Sequence, residues 1–251
     1  ALEKMQAYMA PYTYDGGYYG MPTLRNYSKN YYMIMRRDIL EELNLTDKAE
    51  NMQTFTEYEE ILAAVRDAYD GTGLYAVGNA ASKNVLSFEG YLSDGDRFSD
   101  YLVYDYAADP VRIAMLQDNQ VQCYVRDARY EAECARVAGW AQEGLLWPDA
   151  AIEENHGDVL MKQGVVFSTI QGSEYGVEVT KGVNCGYELL CKEVCPGMIK
   201  TDTLTMQGIG VPSTAEEPEA ACRMITAMYT DAKLMNLFVW GVEGTDYTVE
   251  D

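Results

Sequence analysis

The chain is poor in histidine, in phenylalanine and in positive charge. Of its 251 residues one is His (His156), five are Phe, and 19 are Lys or Arg against 40 Asp or Glu. A single histidine cannot furnish a multi-histidine metal site, and any histidine-based triad would have to be built on His156, which reads as a surface residue beside a helix start. The net charge of −21 makes nucleic acid a poor partner, because a phosphate backbone repels such a surface. The acidic residues are spread along the chain and read as a solubility surface. No run of 18 apolar residues is present, so no segment reads as a transmembrane helix. Residues Ala1 to Lys4 include neither an initiator Met nor the start of a secretory apolar region, and the chain reads as an excised or processed piece.

The motifs of familiar chemistry are also missing. There is no G-x-S-x-G nucleophile turn and no GxxxxGK[ST] phosphate loop. Gly208 and Gly210 in MQGIGVP lack the third glycine of a dinucleotide fingerprint. The polar loop Ser93 to Asp100 (SDGDRFSD) falls short of the calcium-loop spacing. No cofactor and no metal is implied. With forty carboxylates, a glycosidase-like pair is available, but no pattern singles one out. Six cysteines are present, three of them (Cys185, Cys191, Cys195) spaced C-x5-C-x3-C without a CxxC pair. Disulfides and buried free thiols both fit that arrangement.

What the chain does have is tyrosine, 21 residues, with three Trp. Both side chains combine a flat apolar face with a polar atom. That suits the apolar C–H faces and hydroxyl rims of sugars, although most tyrosines in any protein serve as ordinary packing.

The hydrophobic pattern alternates strand and helix. Strands are expected at Gly17 to Pro22, at Asn30 to Arg36 (NYYMIMR, continuous as in a strand buried on both faces), at Tyr75 to Gly78, Tyr101 to Tyr106, Val121 to Val125, Val165 to Ile170, Tyr187 to Cys191 and Leu204 to Val211. Helices are expected at Arg37 to Leu43 and behind a capping box of Thr56 and Glu59, with Ile61, Leu62 and Val65 inward. Another is expected at Arg129 to Glu143, with Tyr130, Cys134, Val137, Ala138 and Ala141 as its apolar stripe, Trp140 in the core and Gly144 behind. Further helices fit Asp158 to Gln163 and Ser173 to Lys181. Thr214 and Glu217 stand at capping-box spacing before a helix striped by Ala221, Met224, Ile225 and Met228, with Pro218 in its first turn. Asp231 is expected to cap a last helix ending at Trp240-Gly241. Such alternation predicts an α/β domain around a mixed sheet.

Four segments, in order, resemble the family 1 extracellular solute-binding proteins, the lineage of the maltose- and oligosaccharide-binding lipoproteins. Residues 15–40 (DGGYYGMPTLRNYSKNYYMIMRRDIL) are similar to the family's YG-x-P crossing strand and the x-R-x-D-[IL]-L strand end that follows. TFTEYEEILAAV resembles its T-[WF]-x-E helix. GWAQEGLLWPD and LMKQGVVFSTIQGSEYG are similar to its W-x-x-x-G helix end and the strand leading to a ligand-stacking loop. Finally, GIGVPSTAEEPEAACRMITAMYTD and NLFVWGVEGTDY resemble the return to the first lobe and the L-x-x-x-G-x-E-G-x-x-Y run. Where the family's stacking loop reads Gly-Pro-Trp, this chain has Gly172-Ser173-Glu174-Tyr175, with Tyr175 in the tryptophan's place.

The resemblance implies a periplasmic-binding-protein-like type II lobe, a mixed central sheet with helices on both faces. It divides the chain into a lead-in to the hinge (1–19), a second lobe (20–205) and a return segment of an incomplete first lobe (206–251). It implies a non-enzymatic binder, the extracellular, lipid-anchored component of an ABC importer, which captures a small polar ligand in an inter-lobe cleft and docks on membrane permease subunits. An oligosaccharide is the ligand expected; a peptide-binding lipoprotein of the same fold and a carbohydrate hydrolase using paired carboxylates are the alternatives. The implied ligand-binding residues are Arg25, Asn26 and Tyr27 past the first crossing, and Gln171, Glu174 and Tyr175 around the stacking loop. Trp240 is a further candidate, for stacking on ligand or for packing a helix end.

Overall fold

The computed structural model describes residues 5–23, 25–28, 30–78, 95–98, 114–117, 120–123, 126–150, 152, 157–197, 199 and 201–249. In chain order its strands are β1 (Thr13–Tyr14), β2 (Gly17–Tyr18), β3 (Met21–Pro22), β4 (Asn30–Arg36), β5 (Tyr75–Val77), β6 (Ala114–Gln117), β7 (Gln120–Cys123), β8 (Val166–Ser173), β9 (Leu189–Cys195) and β10 (Gly208–Ile209). Its α-helices are α1 (Arg37–Glu42), α2 (Thr46–Asn51), α3 (Phe55–Ala68), α4 (Ala128–Gln142), α5 (Gly157–Lys162), α6 (Val177–Cys185), α7 (Thr201–Thr205), α8 (Pro218–Thr230) and α9 (Ala232–Trp240). The chain divides into two compact units, one of residues 28–198 and one of residues 1–27 with 199–251.

The 28–198 unit is built on a four-stranded mixed sheet in the order β5-β8-β4-β9. Its centre is β4, which pairs antiparallel with β8 on one side and β9 on the other, while β5 joins β8 in parallel. Every residue from Tyr31 to Met35 is buried, because helices cover both faces of the sheet. Met33 and Met35 join Ile39, Leu40, Phe55, Tyr58, Ile61, Leu62, Val65, Val137 and Trp140 in one apolar cluster. Ile34 and Tyr32 join Leu160, Met161, Val177 and Cys185 in the other. Each such large apolar side chain contributes about 1.5–3 kcal/mol on burial. This is the α/β architecture with a mixed sheet between helical layers that the pattern predicts.

Local chemistry moved several element boundaries. The capping box of α3 is Thr54 with Glu57, two residues before the expected pair. Thr54 Oγ1 accepts the Glu57 N–H at 3.2 Å, and the Glu57 carboxylate accepts the Gln53 and Thr54 N–H groups at 2.7 and 3.1 Å. Phe55 is wholly buried, so the chain turns into the helix there, leaving Thr56 exposed in the first turn. The helix expected from Ser173 begins only at Val177, because β8 runs on to Ser173 and Gly176 sits at φ +82°. Gly186, at φ +80°, ends that helix, and β9 starts at Leu189 and continues to Cys195. On α4 the buried residues are Glu133, Val137 and Trp140, while Ala138 and Ala141 are exposed. The helix is rotated from the expected stripe because Trp140 packs edge-on against Tyr58 and donates its Nε1–H to Glu59.

In the other unit, the expected strand from Leu204 to Val211 is instead the short helix α7 followed by the two-residue β10. That strand pairs antiparallel with β3, Ile209 opposite Met21 and Gly208 opposite Pro22. The expected strand from Gly17 to Pro22 is interrupted at Tyr19-Gly20. Helix α8 has Glu217 at its N-cap without a side-chain bond, Pro218 supplying the first turn, and Thr214 stands outside it. Asp231 caps α9 as expected, accepting the Lys233 and Leu234 N–H groups at 2.9 and 3.2 Å. The expected strand from Val121 falls on β7, which pairs with β6. The strand expected at Tyr101 to Tyr106, and His156, lie outside the described residues. All six cysteines are free thiols. Burial pushes the Cys191 thiol up to about 12, with the nearby Glu178 carboxylate adding to the effect, so it has little thiolate character at neutral pH.

Candidate functional site

One end of the sheet in the 28–198 unit gathers three elements: the start of β4 and the ends of β8 and β9. Asn30 lies opposite Ser173, Tyr31 opposite Gly172 and Cys195, and Tyr32 opposite Gln171 and Glu193. Asn30 ties this end together. Its amide donates to the Glu193 carboxylate at 2.6 Å, and its carbonyl oxygen accepts the Gly197 N–H at 3.0 Å. Burial raises the Tyr32 phenol, with the Glu193 charge adding to the effect.

Three of the expected ligand residues lie here. Gln171 is 5% exposed, and its Nε2 has no hydrogen-bond partner among the described residues. A buried amide left without a partner costs about 1–3 kcal/mol. Glu174 is half-buried just beyond the strand. Tyr175 follows at 90% exposure, its ring open to solvent on the turn into α6. Asn30 and Glu193 were not singled out from the sequence. A Lys-Glu pair interrupting the apolar run LLCKEVC, and an Asn opening NYYMIMR, were the available signals.

The remaining candidates belong to the unit of residues 1–27 and 199–251. Arg25 is half-buried. Its Nε donates to the Asn26 carbonyl at 3.0 Å, and its Nη1 lies 3.8 Å from the Met206 sulfur. Asn26 is exposed. Tyr27 is packed rather than open: its ring meets Tyr8 at 5.0 Å and its hydroxyl donates to the Thr23 carbonyl at 2.7 Å. Burial raises its phenol. Trp240 ends α9 at 62% exposure. Among the described residues of this unit the buried apolar side chains are Met5, Met9, Pro22 and Tyr27, and neither α8 nor α9 buries a residue. A groove of about 310 Å³ runs beside the β3–β10 pair, between Tyr18, Tyr19 and Met21 on one side and Ile209 and Ile225 on the other.

Among the described residues, no group of three His, Cys, Asp or Glu side chains is placed to hold a metal ion, and no helix is long and apolar enough to cross a membrane.

No known family profile matches the chain, and no curated protein does. Solved structures do match it. An N-glycan transport solute-binding protein, NgtS of Streptococcus pneumoniae, superposes with a TM-score of 0.77 at 15% identity, over 97% of this chain and 51% of that one. An alginate-binding protein without calcium ion gives 0.60 at 14% identity, over 99% and 50%. A family 1 extracellular solute-binding protein of Alicyclobacillus acidocaldarius gives 0.50 at 14% identity, over 91% and 52%. The chain spans about half the length of these structures, and its fold is that of part of a family 1 extracellular solute-binding protein.

Proposed function

We propose that this chain is part of the extracellular solute-binding component of an ABC importer and that it binds a small polar ligand, an oligosaccharide, without transforming it. The observation that carries this reading is the agreement in fold, over nearly the whole chain, with proteins whose names record glycan transport and alginate binding. The polar, partly aromatic end of the sheet adds chemical support. Tyr175 offers an open ring for a sugar face, Glu174 can accept hydrogen bonds from hydroxyls, and the Gln171 amide, unpaired among the described residues, would gain a partner in a ligand hydroxyl. Arg25 and Asn26 act as further donors, Tyr27 holds their segment against Tyr8, and Trp240 is a second stacking surface. In this reading residues 20–205 are the second lobe and 206–251 belong to a first lobe. The lobes close on the ligand by a hinge, and the closed form docks on permease subunits at a lipid-anchored position outside the cell.

Calorimetry with a panel of oligosaccharides, polyols and short peptides tests the reading. A sugar should bind with one-to-one stoichiometry and be recovered unchanged, and Tyr175→Ala should weaken it about tenfold, the equivalent of ~1.4 kcal/mol. Binding of peptides alone would replace the sugar assignment with the peptide-binding alternative. Recovery of cleaved sugar would make the protein a hydrolase.

A further inference from the structure

A second hollow lies in the 28–198 unit, apart from Gln171, Glu174 and Tyr175. It measures about 280 Å³ and is bounded by Gln53, Arg97, Phe98, Glu193, Val194, Cys195 and Pro196. Its charged walls are one guanidinium and one carboxylate. Arg97 is exposed and makes no side-chain hydrogen bond or ion pair among the described residues, and Glu193 is exposed and bonded only to Asn30. The two charges share the hollow without closing on each other.

The segment carrying Arg97 is fixed at several points. Asp96 accepts the Phe55 N–H through its carbonyl at 2.8 Å and the Thr56 N–H through its carboxylate at 2.9 Å. Phe98 N–H donates to the Gln53 carbonyl at 3.1 Å, and the Phe98 ring stands edge-on to Phe55 at 5.4 Å. Arg136 donates to the Gly95 carbonyl at 3.0 Å and lies 3.8 Å from the Asp96 carboxylate. A charged side chain that pairs with none of the described residues, on a backbone held at these points, is open to a partner from solution.

We propose that this hollow is an accessory subsite for one neutral sugar ring of a longer oligosaccharide, with Arg97 donating to a ring hydroxyl and Glu193 accepting from another. The proposal rests on the sugar-binding reading above. A neutral polyol matches the lining because it both donates and accepts, whereas an anion would meet Glu193 and a cation would meet Arg97. The volume lies just below the ~300–1,000 Å³ of sites for drug-sized ligands, which suits a single ring rather than a whole oligosaccharide. The carboxylate of Glu193 also touches Asn30 at the start of β4, so the hollow borders the sheet end that carries Gln171.

The test is calorimetry of the full chain with malto-, manno- and cello-oligosaccharides of two and five units, on the natural sequence and on Arg97→Ala and Glu193→Gln. In the series that binds, each substitution should weaken the five-unit sugar at least fivefold and the two-unit sugar less than twofold. The Arg97 side chain has no partner to lose among the described residues, and Gln at 193 keeps the Asn30 bond, so both variants should melt with the natural chain. An equal effect on both lengths, or none on either, overturns the subsite while leaving the sugar-binding reading standing. Silence of the natural chain with all three series overturns the subsite, and silence with the wider sugar panel as well overturns the sugar-binding reading.

Discussion

The hydroxyl groups of Tyr58 and Ser168 meet at 2.5 Å inside the 28–198 unit, across 110 residues of sequence. Tyr58 lies on α3 and Ser168 on β8, so the bond pins the helix to the sheet. Both residues are 0% exposed, and burial raises the Tyr58 phenol far above its ordinary value, so it stays protonated at any physiological pH. Removing one partner strands the other. Tyr58→Phe or Ser168→Ala should each cost about 1–3 kcal/mol. The double variant should cost less than the sum, because no hydroxyl is then left unsatisfied. Urea denaturation of the four proteins measures this coupling; strict additivity would mean that the two hydroxyls do not depend on each other.

The position of the α3 cap makes a sharp contrast between two neighbouring threonines. Thr54→Ala should lower stability by about 1 kcal/mol, since it removes the acceptor of the Glu57 N–H. Thr56→Ala should be nearly neutral, because Thr56 engages Asp96 through its backbone N–H. Thermal melts would reverse this order if the helix began two residues later.

Asp127 caps α4 and is held below the ordinary carboxylate value, first by hydrogen bonds from the Arg129 side chain, at 2.7 and 2.8 Å, against the opposing effect of burial, and then by the Arg129 N–H at 2.9 Å. Its folded pKa therefore lies below the unfolded value of about 3.9. The stability it contributes is complete above that value and is lost as pH falls through the folded one. Asp127→Asn retains a capping oxygen but not the charge. It should destabilise by about 1 kcal/mol at neutral pH and lose that difference as pH falls through the lowered folded value. A difference that stays constant with pH in chemical denaturation would assign the effect to shape rather than charge.

Helix α9 exposes four consecutive apolar residues, Leu237 to Trp240, at 54 to 62%. At 100° per residue they encircle the helix, and a helix apolar all round is normally covered. With this apolar surface uncovered, the chain should bind a hydrophobic dye and associate as its concentration rises. Leu237→Glu with Val239→Glu should reduce both effects without changing the melting of the 28–198 unit. Sedimentation velocity and dye fluorescence report this directly; a monomer at all concentrations with no dye binding would show that the surface is tolerated as it stands.

The sequence by itself determined the elements whose signals are local. NYYMIMR is continuously apolar and becomes the strand buried on both faces. Ile61, Leu62 and Val65 point inward from α3, and Asp231 caps α9 through its own neighbours. Tyr175 was singled out by the resemblance, standing where the family has its stacking tryptophan, and its ring is open at 90% exposure. What only the tertiary structure decided is whatever depends on pairing across long separations. The strand order β5-β8-β4-β9 brings Asn30, Gln171 and Glu193 to one sheet end. The rotation of α4 buries Glu133 where the pattern favoured Ala138, since Arg136 lies 3.6 Å from the Glu133 carboxylate and over the Phe55 ring at 4.2 Å. Hydrophobic periodicity marks which residues are apolar. It carries no record of which charges find partners inside, because those partners come from other elements and are chosen by register and packing.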